Sequence, residues 1–151
     1  MRSASPLATY EHPQDVLGAA LGFAKSGAAV ALVIVTATEG GAVRTPGALM
    51  AVSETGESAG YVSGGCIDAD VRLNAMEALN SGQLRKLRYG TGSPFLDIRL
   101  PCGGAIDVLI APNVAPDTIS RIYEGLDNRE TVRFALLARG DIQLNVAPGE
   151  A

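Results

Sequence analysis

The sequence predicts one domain over residues 1–151, of the α/β or α+β class, with a mixed β-sheet flanked by helices. Three features carry that expectation. The run "AAVALVIVTAT" (28–38) is almost continuously apolar and rich in β-branched residues, as a strand buried on both faces requires. Three other stretches repeat their apolar residues at helical spacing. Strands and helices are interspersed without a strict βαβ rhythm. A chain of 151 residues with 47% hydrophobic and 19% charged residues is long and apolar enough to bury a core without staples.

The elements follow in order. From Pro13 to Ser26, Val16, Leu17, Ala20, Leu21 and Ala24 recur at helical spacing, and Gly27 is a natural stop. The buried strand of 28–38 leads into a turn-rich loop, "EGGAVRTPG" (39–47). Residues 48–62 form a hairpin with Thr55-Gly56 at the bend. Residues 66–80 are helical, with Ile67, Val71, Ala75 and Leu79 as an i, i+4 stripe. "QLRKLRYG" (83–90) alternates as a strand, 91–104 is largely loop, and "AIDVLIAP" (105–112) is a further strand. A helix over 116–127 carries Ile119, Ile122, Tyr123 and Leu126 on one face. Residues 131–148 divide into two strands around Arg139-Gly140-Asp141.

Composition excludes several function classes. The net charge of −4 and the pI of about 4.9 argue against a nucleic-acid partner, which needs clustered cations to neutralise phosphates. Arg85, Lys86 and Arg88 make the one small basic patch, read as a solvated face. No apolar run is long enough for a membrane span, and the first residues lack the layout of a secretory signal. Two cysteines in 151 residues do not make a disulfide scaffold, which points to the reducing cytoplasm.

Both cysteines sit beside a glycine pair. In Ser63-Gly64-Gly65-Cys66 the glycines precede a helical pattern, whose first turn leaves backbone N–H groups without internal partners. Such N–H groups, together with the helix dipole, suit an oxyanion. Ser63 is placed to cap the helix or to donate to a ligand, and Cys66 shares the field, which favours its thiolate. Asp68 and Asp70 suit the helix dipole but compete with an anionic guest; amino groups of a heterocycle would suit them better. Pro101-Cys102-Gly103-Gly104 repeats the recipe in mirrored order. The plain alternative is that both segments are turns with a small apolar cysteine. A Cys66–Cys102 disulfide is disfavoured by the compartment, and a zinc site lacks further ligands, since His12 is distant in sequence. In the loop after the first strand, Arg44 offers a cationic fork to a phosphate or carboxylate.

In this order the segments resemble the xanthine dehydrogenase accessory factor family, the XdhC/CoxI proteins. The resemblance rests on Glu39, Gly40, Arg44, Gly47, Ala48 and Met50; then Gly60, Val62 and Ser63 to Cys66; then Tyr89-Gly90; then Pro101 to Gly104. Gly41, Val43, Leu49 and Asp68 depart from the family's preferences. The resemblance implies a cytoplasmic accessory protein that binds the molybdenum cofactor (molybdopterin) as cargo and serves the sulfuration and insertion steps of a xanthine dehydrogenase or CO dehydrogenase-type apoenzyme. It implies cofactor contacts from Arg44, Ser63, Gly64, Gly65, Cys66, Asp68, Cys102, Gly103 and Gly104. Cys66 and Cys102 would be the thiols that touch molybdenum or handle sulfur. A cysteine desulfurase and a separate Rossmann-domain chain are the further partners expected, because longer relatives carry a C-terminal Rossmann domain that this sequence lacks. A homodimer is expected as well. Two alternatives stand beside the carrier: a thiol-dependent sulfurtransferase, and a non-catalytic protein-interaction module.

Overall fold

The computed structural model describes residues 12–40, 46–62, 67–90, 104–127, 131–136 and 142–147. Helix α1 (Pro13–Lys25) is followed by β1 (Val30–Glu39), β2 (Leu49–Ser53) and β3 (Ser58–Gly60). Then come α2 (Asp68–Ser81), β4 (Arg85–Gly90), β5 (Ala105–Ala111) and α3 (Pro116–Asp127). Strands β6 (Thr131–Leu136) and β7 (Ile142–Ala147) close the sequence of elements. The first five strands form one sheet in the order β3-β2-β1-β5-β4, and β6 and β7 pair as a separate hairpin beside α3.

Strand β1 organises the molecule because its side chains leave alternately for two cores. Val30, Leu32 and Ile34 join Val16, Leu17 and Ala20 of α1 and Ile119 and Ile122 of α3. Ala31, Val33 and Val35 point the other way, into a core with Val71, Ala75 and Ala78 of α2. The sheet is thus a middle layer, with α1 and α3 on one face and α2 on the other. Burial of each such Val, Leu or Ile side chain contributes about 1.5–3 kcal/mol, so β1 alone anchors both layers. The stripe expected on α2 is borne out: Ile67, Val71 and Ala75 are buried and Leu79 packs at the margin.

One expectation is corrected. The five-stranded sheet is antiparallel at all four of its pairings, not mixed. A strand buried on both faces is the usual mark of a parallel sheet, but helices covering both faces produce the same pattern here. Smaller differences lie at the ends of elements. Helix α2 starts at Asp68, with Ile67 as its N-cap residue, so position 63 is not the cap. Strand β1 runs one residue further than expected, to Glu39, and its last four residues project beyond the helical layers, exposed or half-buried.

Candidate functional site at one end of the sheet

The register places three connections at the same end of the sheet. Glu39, the last residue of β1, pairs with Ala105, the first of β5, and Ala105 pairs in turn with Gly90, the last of β4. Gly60, the last residue of β3, lies opposite Met50 near the start of β2. The β1–β2, β3–α2 and β4–β5 connections therefore all leave from this end. They hold Arg44, Ser63 to Cys66, and Cys102 to Gly104 respectively. Antiparallel pairing is what does this, since it returns each strand's end beside its neighbour's beginning.

Of the candidate site residues, Asp68 and Gly104 fall within the described structure. Arg44, Ser63, Gly64, Gly65, Cys66, Cys102 and Gly103 lie outside it. The Asp68 carboxylate accepts the Val62 backbone N–H at 2.6 Å, which joins the two flanks of the Ser63–Cys66 stretch. A charge-assisted bond of this kind is about twice as strong as a neutral one. Gly104 is buried where three backbones converge. A Cβ on Gly40 would stand 3.0 Å from the Gly104 Cα, and one on Gly90 would collide with the Gly104 carbonyl oxygen. Both glycines also have positive φ, 69° and 91°, so a side chain there is excluded twice over.

Two polar clusters brace this end. In the first, Arg88 of β4 spans the sheet surface, with Nη1 2.9 Å from Asp107 Oδ2 and Nη2 3.0 Å from Glu39 Oε2. It ties the projecting end of β1 to β4 across β5, and the Thr36 hydroxyl donates to the Asp107 carbonyl at 3.3 Å. The hydrogen bond to Glu39, with the charges of Glu39 and Asp107, raises the pKa of the guanidinium further. A cleft of about 530 Å³ opens beside this cluster, lined by Thr36, Lys86 to Arg88 and Asp107 to Leu109.

The second cluster joins α2 to β4. Tyr89 is 1% exposed, and its hydroxyl donates to Asp70 Oδ2 at 2.6 Å. Asn74 Nδ2 donates to the same carboxylate at 3.1 Å and to the Asp70 carbonyl at 2.9 Å. Arg85 Nη1 then donates to Asn74 Oδ1 at 3.0 Å and to Glu77 at 2.8 Å. Burial is the main reason that the Tyr89 phenol is held well above its ordinary pKa; its hydrogen bond to Asp70 and that residue's charge add to the effect.

Sequence reasoning expected a solvated face at Arg85, Lys86 and Arg88. Lys86 is exposed, while the two arginines are engaged with carboxylates. It did not anticipate the bracing roles of Tyr89, Asp70 and Arg88. The alternation along "RKLRYG" was the available signal: it sends Leu87 and Tyr89 under α2 and Arg88 to the opposite face.

Among the described residues, no helix is long and apolar enough to cross a membrane. Residues 23–90 match the XdhC and CoxI family. The molybdenum cofactor insertion chaperone PaoD of Escherichia coli strain K12 is 40% identical over 107 residues, which is 71% of this chain and 34% of PaoD. The chain thus spans about a third of that relative's length. A crystal structure of a xanthine dehydrogenase from Bacillus halodurans shares the fold, with a TM-score of 0.68 at 20% identity over 89% of this chain and 42% of that one. The motif segments, the family match and the likeness to PaoD fall in the same region and agree that this region is similar to the XdhC and CoxI family.

Proposed function

We propose that this chain is a cytoplasmic carrier of the molybdenum cofactor, which it holds at the loop end of the sheet and delivers to a xanthine dehydrogenase-like or CO dehydrogenase-like apoenzyme. The observation that carries the reading is that three separate segments, which hold the Arg44 guanidinium, two thiols and two glycine pairs, all depart from one end of one sheet. Its chemistry suits the cargo. Molybdopterin has a phosphate for the Ser63–Gly65 and Gly103–Gly104 amides and the Arg44 fork, and a thiophilic metal for Cys66 or Cys102. Asp68 contributes by tying the start of α2 to Val62, the two flanks of the first cysteine segment. The likeness to a protein named as a molybdenum cofactor insertion chaperone supports the same reading.

The test is the cofactor content of freshly purified protein, read as fluorescence of the oxidised pterin and as bound molybdenum. Cys66→Ala and Cys102→Ala are expected to lower retention by about tenfold or more, the scale of losing a ligand or its orienting shell. Retention unchanged in both variants overturns the carrier model. The same thiols also support a sulfurtransferase, in which one of them bears a persulfide during sulfuration of the cargo. Mass spectrometry after incubation with a cysteine desulfurase and cysteine separates the two readings, because only the sulfurtransferase requires a protein persulfide.

A further inference from the structure

The sheet face that carries α1 and α3 is not covered evenly. The helices pack there on Val30, Leu32 and Ile34 of β1 and on Leu49 and Ala51 of β2. On β4 and β5 the same face is barer: Lys86 is exposed, and Arg88, Asp107 and Leu109 are half-buried. Tyr89, Ile106 and Val108, which point the other way, are buried. The cleft of about 530 Å³ lies on this bare part, where Thr36, Lys86, Arg88, Asp107 and Leu109 line it. We propose that this cleft is a ligand site in its own right, which takes a small aromatic acid: a ring seated on Leu109, with one anionic group against Lys86.

A bulge in β1 shapes the hollow. Val35 lies opposite Val108 and Ala37 opposite Asp107, so Thr36 is an extra residue without a counterpart on β5. Such an insertion bends its strand, increases the local twist and re-aims the residues beyond it. In unbroken pairing Glu39 would fall on the α2 face. The extra residue brings it to the face of Asp107 and Arg88, where it meets Arg88 Nη2 at 3.0 Å. The charges sort accordingly. Arg88 is held by two carboxylates, and Arg85 by Glu77. Among the described residues no carboxylate pairs with Lys86, which is therefore the cation open to an incoming anion. Leu109 lies directly opposite Lys86 in the register, which sets an apolar floor beside the lysine stem. One cation next to an apolar floor favours a ligand with one anionic group and an apolar body. The size fits, since sites for small organic molecules span about 300–1,000 Å³. A bare inorganic anion would gain nothing from Leu109, and an uncharged ring nothing from Lys86.

The test uses anilinonaphthalenesulfonate, an aromatic sulfonate that fluoresces when its rings leave water, and its uncharged parent, phenylnaphthylamine. Titrated into the full chain at low salt, the sulfonate is expected to saturate a single site. Lys86→Glu should weaken it by about tenfold, since a solvated attraction becomes a repulsion of similar size. The uncharged dye should bind both proteins alike. Leu109→Thr should weaken both dyes by about fivefold, because it removes apolar floor that each ring covers. Lys25→Glu, at an exposed lysine in the last turn of α1, should leave both dyes unchanged, which separates local contact from net charge. Absence of a saturable site overturns the proposal. So does a site whose affinity ignores both Lys86 and Leu109, since that is adhesion elsewhere on the surface. Equal loss of both dyes in Lys86→Glu overturns it too, because the lysine would then serve the structure and not the anion. Should Leu109→Thr fail to fold, the two lysine changes decide the matter.

Discussion

The two ends of the sheet are built on different principles. At the end opposite the site, the connections between described elements are short and closed by their own hydrogen bonds. The Ser53 hydroxyl bonds the Thr55 hydroxyl at 2.7 Å and accepts from the backbone N–H groups of Thr55 and Glu57. Ala29 N–H donates to Glu54, which joins the turn before β1 to the β2–β3 turn. At the site end, the connections over 40–48, 61–67 and 91–104 are longer. There the bracing comes from side chains on the strands and helix that flank them: Asp68, Asp70, Arg88 and Tyr89. One end spends its polar groups on its own turns; the other spends them on holding apart and aligning the roots of its loops.

Substitutions can break this contrast, the most damaging first. Gly90→Ala should cost about 2–4 kcal/mol in denaturant unfolding, because its Cβ meets the Gly104 carbonyl in a backbone region hostile to side chains. Gly56→Ala, in the opposite turn at φ 91°, meets the flexible Met76 side chain at 3.8 Å and should cost about 1 kcal/mol. If the two cost the same, close packing at the site end is not what requires Gly90.

Ser53→Ala should cost about 1–2 kcal/mol by removing three bonds from a buried hydroxyl, with pterin retention unchanged. Asp68→Ala should cost a similar amount but lower pterin retention as well. Equal retention in the two variants would erase the functional difference between the ends.

A smaller effect is expected from pH. Tyr89 is neutral in both states below the ordinary tyrosine pKa of about 10. Above it, the unfolded chain gives up the proton while the folded protein keeps it, since the folded pKa is raised. The stability contributed by Tyr89 is therefore complete below about pH 10 and is lost as pH rises further, through the folded pKa. Tyr89→Phe should be the less stable protein at neutral pH by about 1 kcal/mol, with the gap narrowing above about pH 10 in parallel urea titrations. A gap independent of alkaline pH would mean that the phenol is not held as the structure has it. Smallest of all, Glu77→Gln should change stability by about 0.5 kcal/mol or less, since the pair it makes with Arg85 is largely solvated.

Much of the scaffold was legible before any coordinates. Residues 30–35 read as a strand with two buried faces because both alternating sets are apolar, and each set has its own core. The helix over 116–127 and the bend at Thr55-Gly56 were readable from spacing and from turn chemistry. The direction of pairing was not, because a strand between two helical layers has the same composition whether its neighbours are parallel or antiparallel. At the candidate site, the motif segments supplied the residues proposed to carry chemistry. The roles of Tyr89, Asp70 and Arg88 did not show, since a tyrosine in an alternating strand looks like any core aromatic until its hydroxyl's partner is known.

By itself the sequence determined the periodicities: which residues face inward, where helices run, and which short segments combine glycine with thiol. Those are local properties, set by side-chain chemistry within a few residues. Tertiary structure alone decided that Glu39, Gly90 and Ala105 end side by side, and that Tyr89 meets Asp70 across 19 positions of chain. Such meetings depend on the order and direction in which strands pair, a property of the whole sheet that no single segment encodes.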